Sequence, residues 1–386
     1  MGKTVKRVNN RNLAAVVLAG ALAATLAACG ADATTPSTPS TSGAAGDGAS
    51  SEPATDLSGN LAGAGASSQE KAMGGWMATF NATAPDVTIS YDAVGSGGGR
   101  EQFLSGGVLF AGSDSALKPE EVTSAEERCF GGEAIELPLY ISPIAVVYNL
   151  PGVDADNINM SAETIANIFN GTITSWNDPA IAAENEGVEL PDTTIIPVNR
   201  NDESGTTENF TEYLSAASNG AWTYEPSGDW PISGTLSGSK TSGLIDTVTG
   251  AEGAIGYADA SQAGDLGTVA LKVGEEYVPF SPEAAATVVD ASPRAEDATD
   301  NRLVVELDRS TTEAGAYPLV LISYSVACSQ YDDASDAANV KAFFSYIASA
   351  EGQAVASDPS VAGSAPISDT LREEVMAAVD AIAVAE

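Results

Sequence analysis

An α/β fold follows from three features of the sequence. Stretches rich in β-branched and aromatic residues alternate with stretches whose apolar residues recur at helical spacing, the pattern of strand–helix units in mostly parallel sheets. Several strand-like stretches end in small polar residues that also open the next helix, the place where such sheets hold ligands. The length, 386 residues, suffices for two ordinary domains or one bilobal protein. With 44% hydrophobic and 18% charged residues, the chain has the composition of a soluble globular protein with a sizeable core. It contains no internal repeat.

The N-terminus stands apart from that core. In "MGKTVKRVNNRNLAAVVLAGALAATLAAC", Lys3, Lys6, Arg7 and Arg11 precede an apolar run from Leu13 to Ala28. A basic head and a short apolar stretch are the layout of a signal peptide over residues 1–28. The alternative is a membrane-spanning anchor, for which the run is short. Its end, "LAAC", resembles the bacterial lipobox, which implies cleavage before Cys29 and a lipid (palmitate among its acyl chains) on that cysteine. Residues 29–58 are mostly Ser, Thr, Pro, Ala and Gly without hydrophobic periodicity, a flexible tether.

From residue 59 each element has its own signal. "VTISYDAV" (87–94) alternates as a strand, and "GSGGGREQFLSGG" after it turns into a short helix. "VLFAGSD" (108–114) and "IAVVYNL" (144–150) read as strands. "SAETIANIFNGTI" (161–173) sets Ile165, Ile168 and Phe169 at helical spacing, with Ser161 as N-cap. "TTIIPVNR" (193–200) is a strand, "SGLIDTVTG" a helix and "GAIGYAD" a strand. "YPLVLISYSVAC" (317–328) is a long apolar strand. "DAANVKAFFSYIAS" and "DTLREEVMAAVDAIA" close the chain as amphipathic helices. Trp76, Trp176, Trp222 and Trp230 are expected to pack in the lobes.

Charge and residue counts exclude several functions. With 16 Lys+Arg against 53 Asp+Glu the net charge is −37, and loss of the four cations of residues 1–28 takes it to −41. Nucleic acid is an implausible partner for such a surface, whereas a small anion is decided by local donors because salt screens the rest within about 8 Å. Histidine is absent, which removes the usual general base of Ser-His-Asp and Cys-His sites and the usual imidazole metal ligand. No P-loop motif occurs. Of three cysteines, a lipidated Cys29 leaves Cys129 and Cys328, which a secreted setting favours as a disulfide over two buried thiols.

Three segments carry the candidate site. "AVGSGGGREQF" (93–103) offers amides and the Ser96 hydroxyl at a helix start, though a glycine run by itself is more often a flexible loop. Arg100 within it reads first as a solvent-facing helix charge and second as an aid to anion steering. "FAGSDSAL" (110–117) places Asp114 at a strand end, where an N-cap for the helix near "KPEE" is the ordinary role. "NRNDESGTTENF" (199–210) supplies Ser204, Gly205, Thr206 and Thr207 at a helix start, a ready anion site. It adds the planar guanidinium fork of Arg200 and Asp202 to orient it. Glu203 reads as a solvent-exposed loop acid. Together these offer many donors, one arginine and one carboxylate, without acid–base machinery beyond the acids, which suits holding a tetrahedral oxyanion rather than transforming it.

With "GAGAS" (63–67), "GSGGG" (95–99), "GSD" (112–114), "IFNGTITSWNDPAI" (168–181) and "RNDESGTT" (200–207), the chain resembles the PstS-like phosphate-binding lipoproteins that feed the high-affinity Pst ABC transporter. The resemblance covers about residues 59–386. It implies a bilobal type II periplasmic-binding-protein fold, with two α/β lobes joined by a two-strand hinge and the ligand in the cleft. The expected lobes are 59–138 with 319–386, and 139–318, with hinge crossings near 136–142 and 316–323. It implies phosphate-binding roles for Ser67, Ser68, Ser96 and Asp114 from the first lobe, and for Arg200, Ser204, Gly205 and Thr206 from the second, with Asp202 pairing Arg200. The family usually has "GAGAT" followed by an aromatic or aliphatic residue. Here "GAGASSQ" keeps a hydroxyl at Ser67 and loses the apolar wall beside it. No metal or cofactor is implied.

The resemblance implies a lipid-anchored, monomeric, extracytoplasmic receptor that captures inorganic phosphate and delivers it to permease subunits driven by a cytoplasmic ATPase. An ionised Asp114 accepts hydrogen bonds only. Phosphate near neutral pH retains a proton to give it, whereas sulfate or molybdate meets it with like charge. Other readings are a receptor for another tetrahedral oxyanion, a serine-based phosphoesterase using Ser96 or Ser204, and an adhesive surface lipoprotein.

Overall fold

The computed structural model describes residues 57–385. The expected signal peptide, Cys29 and the tether up to residue 56 lie outside the described residues. The strands are β1 Gly59–Gly65, β2 Val87–Asp92, β3 Phe110–Ser113, β4 Ala134–Tyr148, β5 Asn157–Met160, β6 Ile196–Arg200, β7 Leu236–Gly238, β8 Ala254–Asp259, β9 Gly267–Val273, β10 Glu276–Val278, β11 Val320–Cys328, β12 Gln330–Tyr331 and β13 Ala383–Val384. The helices are α1 Glu70–Thr83, α2 Ser96–Leu104, α3 Pro119–Arg128, α4 Ala162–Phe169, α5 Pro179–Glu184, α6 Gly205–Ala217, α7 Lys240–Thr249, α8 Pro282–Ala291, α9 Ala334–Ala348, α10 Ala350–Ser357 and α11 Asp369–Asp380. Ser161 caps α4 as its position before an apolar-periodic run demands, its hydroxyl accepting from the Thr164 amide.

One continuous sheet runs β2-β1-β3-β11-β4-β8-β6-β7, with β9 joining β4 and carrying β5 and β10. Strand β4 is its axis. Its first part pairs antiparallel with β11, from Ala134 opposite Cys328 to Pro143 opposite Val320. At the next residue it changes partner, and Ile144 to Tyr148 pair antiparallel with Asp259 to Ile255 of β8. All residues of β4 and β11 are buried, which is why both are mostly apolar along their length rather than alternating. β4 leads the chain out of the first lobe and β11 brings it back. The Ile144 amide donates to Leu319 O at 2.8 Å and the Tyr317 hydroxyl to Ile144 O at 2.9 Å, so the two crossings are tied where they pass.

The sheet is not mostly parallel. β1 pairs parallel with β2 and β3, and β6 with β7 and β8, but β11 and β4 pair antiparallel with their neighbours. Strands that leave a lobe and return to it must run in opposite directions. Each lobe keeps its own aromatic core. Phe110 packs on Phe343 and Phe344 on one side, and Phe210 stacks on Tyr257 with ring centroids 4.2 Å apart on the other. The fully buried Trp76 and Trp176 donate their indole N–H groups to Gly352 O and Gly253 O, and Trp222 is buried as well. A segment expected in the second lobe lies against the first part of β4. Glu136 exchanges backbone hydrogen bonds with Asn301 and Leu303, and its buried carboxylate takes the Arg302 Nε at 2.5 Å.

Cys129, at the end of α3, and Cys328, at the end of β11, form the expected disulfide, with Cα atoms 5.1 Å apart across 199 residues of sequence. It closes the first lobe around the whole excursion of the second. Replacing both cysteines by alanine is expected to lower the unfolding free energy by about 2–5 kcal/mol, read from denaturant titration. Reductant should then have no further effect on the double variant.

Candidate functional site

The site is built from strand ends that pass into helix starts. The loop after β1 carries Ser67 and Ser68, β3 runs into Asp114, and α2 opens with Ser96. From the other lobe, β6 ends on Arg200, and α6 opens at Gly205 behind its N-cap Ser204. Gly95 is the residue that lets α2 start here. Its φ of +96° is closed to most side chains, and a Cβ on it would stand 2.8 Å from Asp202 Oδ2 and 3.6 Å from Arg200 Nη2.

Asp114 is 4% exposed, and every polar atom it has is engaged. Its carboxylate accepts from the Ser68 hydroxyl at 2.7 Å and from the Thr206 hydroxyl at 2.8 Å. Its amide donates to Ser96 Oγ at 3.1 Å, and its carbonyl accepts from Asn209 Nδ2 at 2.7 Å. Burial raises its pKa above the ordinary aspartate value, and the Ser68 and Thr206 hydroxyls and the Arg200 charge pull it back without cancelling the shift. A Cβ on Gly205 would lie 2.6 Å from Ser96 Oγ and 2.7 Å from Asp114 Cβ. Ser68, Ser96, Asp114, Gly205 and Thr206 therefore meet, from both lobes, in one closed cluster. Asp114 is not the N-cap of α3, because Lys118 holds that position and Glu121 folds back onto its amide at 2.9 Å.

Arg200 is 3% exposed. Its Nε and Nη2 meet the two oxygens of Asp202 at 2.8 and 2.5 Å. Burial would raise the Asp202 pKa, but the paired Arg200 and the Lys240 amide prevail and hold it below its ordinary value. The amide of Lys240 donates to Asp202 Oδ1 at 3.0 Å from a left-handed backbone, φ +62°, so Asp202 fixes an unfavourable conformation at the start of α7 as well as the arginine. Ser204 Oγ accepts from the Thr207 amide at 3.2 Å. Capping leaves the Ser204 hydroxyl proton free to donate, and Ser204 adjoins the cluster through the chain at Gly205 rather than by a hydrogen bond of its own.

Ser67 points to a partner the sequence reading missed. Its hydroxyl lies 2.9 Å from Thr241 Oγ1 and accepts from the Thr241 amide at 3.0 Å. "LSGSKTSG" repeats the strand-end, helix-start pattern of the other segments, and that signal was available. Tyr257 accepts from the Arg200 amide at 3.3 Å and lies 2.8 Å from Thr207 Oγ1. Asn209 is held in turn by Arg309. Nothing local in the sequence marks Tyr257, Asn209 or Arg309, since each reaches the site across a fold contact. Arg100 is not solvent-facing. It is 1% exposed and engaged on every side, and Glu203 is its partner at 2.8 Å.

A buried carboxylate ringed by donors from two α/β lobes is the arrangement of a solute-binding protein of the type that shuts on its ligand. The comparisons agree. Residues 47–351 match the PBP superfamily domain. Phosphate-binding protein PstS 3 of Mycobacterium leprae (strain TN) is 36% identical over 328 residues, 84% of this chain and 87% of that protein. Phosphate-binding protein PstS 3 of Mycobacterium tuberculosis (strain ATCC 25618 / H37Rv) is 35% identical over 383 residues, 97% and 99% of the two chains. The chain belongs to the PBP superfamily and, within it, to the PstS-like phosphate-binding proteins. The fold recurs in the phosphate-bound high-affinity periplasmic phosphate-binding protein PfluDING, with a TM-score of 0.68 at 21% identity over 82% of this chain and 93% of that one. It recurs also in the phosphate-binding protein from Stenotrophomonas maltophilia, with 0.63 at 20% over 83% and 93%.

Removing the Asp202 carboxylate strands a buried guanidinium. Asp202→Ala is expected to cost about 2–4 kcal/mol of stability at pH 7. A group with a depressed folded pKa contributes stability above its unfolded value and loses it as the pH falls through the folded one. The gap between wild type and variant should therefore narrow below about pH 4, as followed by urea unfolding at several pH values.

Proposed function

We propose that this chain is a lipid-anchored extracytoplasmic receptor that binds inorganic phosphate and hands it to an ABC permease. The observation that carries the reading is the Asp114 cluster, a buried carboxylate ringed by hydroxyls of both lobes with the Asp202-oriented Arg200 beside it. Ser67, Ser68, Ser96 and Asp114 would hold the anion from the first lobe, and Arg200, Ser204, Gly205 and Thr206 from the second. The lobes would divide as 59–138 with 319–386, and 139–318, with the 301–303 segment of the second laid against β4 of the first. PstS-like kinship supports transport and binding over catalysis. Cys29 would carry the lipid.

The chemistry favours phosphate among tetrahedral anions. The hydroxyls and the amides at the starts of α2 and α6 donate without regard to which anion arrives, and Arg200 supplies the charge. Asp114 discriminates. A protonated phosphate oxygen donates to its carboxylate, whereas a fully ionised anion brings a buried like-charge contact. Charge-assisted hydrogen bonds contribute about 1.5–3 kcal/mol each, so a few of them exceed association costs and reach the roughly −8 kcal/mol of micromolar binding.

Calorimetry should find phosphate bound at least about 100-fold more tightly than sulfate at pH 7, and equal affinities would sink the reading. Asp114→Asn is expected to reduce that ratio by about 10-fold or more. Because burial raises the Asp114 pKa, acidification should protonate it sooner than an ordinary aspartate, turn an acceptor into a donor and shrink the same ratio in the wild type. Cys29→Ser should release the protein from membranes, as fractionation and acyl labelling would report.

A further inference from the structure

We propose that Arg100 and Glu203 form an interlobe clasp, seated by Gly97, that positions the second-lobe loop over the site and prolongs the residence of the bound anion. The inference rests on the phosphate reading. Arg100 lies one turn beyond Ser96 on α2. Its Nε meets both oxygens of Glu121 at 3.1 and 3.0 Å, and its Nη1 donates to the Ser113 and Ser115 hydroxyls at 3.0 and 3.1 Å. All of these partners belong to the same lobe, on the α3 side of β3. Only Nη2 reaches across, to Glu203 Oε1 at 2.8 Å. The guanidinium is thus fixed whether or not the lobes meet, and one donor waits for closure.

Glu203 is the moving half. It lies between Arg200 and Ser204, in the loop that presents α6 to the cluster. The Ser204 amide holds that loop to Gly228 O at 3.0 Å. Its carboxylate sits over the first turn of α2, where helix amides lack intrahelical partners and negative charge is favoured. The space exists because position 97 is glycine. A Cβ there would stand 1.7 Å from Glu203 Oε2. Oε2 is buried without a hydrogen-bond partner, so the carboxylate is held at that place through Oε1, by Arg100 Nη2 and with Lys118 Nζ 3.7 Å away. The contact engages only when the lobes are together, so it favours the closed form with or without the anion and acts chiefly on release. Glu203 keeps 26% exposure, which moderates the effect.

The test compares Glu203→Gln, Gly97→Ala and their double variant. Gly97→Ala adds a helix-favouring residue to α2 while filling the seat, so it separates loss of the clasp from loss of stability. Stopped-flow measurements should show phosphate leaving about 10-fold faster from each single variant, or about 1.4 kcal/mol. Association should stay within about twofold, as expected of an effect on release. The double variant should release no faster than the singles, because both remove one interaction. Without added phosphate, small-angle scattering should show a larger radius of gyration in all three, with melting temperatures of the Gly97→Ala protein not lowered. Wild-type release rates in both single variants, multiplicative effects in the double, or unchanged scattering would overturn the clasp. If the wild type binds no phosphate, the functional reading falls and the scattering alone decides the clasp.

Discussion

The Asp114 carboxylate is the constraint around which the two lobes are arranged. A charge removed from water is costly unless its oxygens are engaged, and here the engagement comes from both sides, Ser68 on one lobe and Thr206 on the other. Burial still leaves the group reluctant to ionise. That reluctance fits a site meant for a proton-bearing anion. An acceptor whose own donors are shared hydroxyls can yield them to a ligand oxygen and take a ligand proton in return.

Holding such a cluster requires that strand ends in different lobes stay in register. The β4–β11 pair provides this, since β4 pairs with β11 through Pro143 and with β8 from Ile144. Asp114 follows β3, which pairs with β11, while Arg200 ends β6, which pairs with β8. Both halves of the site thus hang from one fully buried strand. The Cys129–Cys328 bridge closes the frame at the far end of β11, away from the crossing, where it leaves hinge motion free.

The acidic composition gives the arginines a particular use. Arg100, Arg200, Arg302 and Arg309 are each under 10% exposed, and each faces a carboxylate: Glu121 and Glu203, Asp202, Glu136, and Glu212. A planar guanidinium satisfies several buried acceptors at once, which an ammonium does less well. Two of the four, Arg200 and Arg100, stand at the interlobe contact. Cations scarce on the surface are concentrated where the chain must bring acids together.

The sequence by itself determined the α/β class, the strand-end, helix-start segments and the pairing of Arg200 with Asp202, because these depend on local periodicity, capping and residue chemistry over short spans; the candidate disulfide followed from there being only two cysteines besides Cys29. The family motifs carried Ser96, Asp114 and Thr206 as well. Only the tertiary structure decided the mixed direction of the sheet, the partnership of Ser67 with Thr241, and the support of Asp114 by Asn209 and Arg309. It also moved Arg100 and Glu203 from the solvent-facing roles that their charge suggested to a part-buried contact with each other. Each of these joins residues far apart in the chain, 174 positions for Ser67 and Thr241 and 103 for Arg100 and Glu203. Local preference carries no information about such a distance. It is set by which strands pair, and by how closely a residue without a side chain, such as Gly97, lets the other lobe approach.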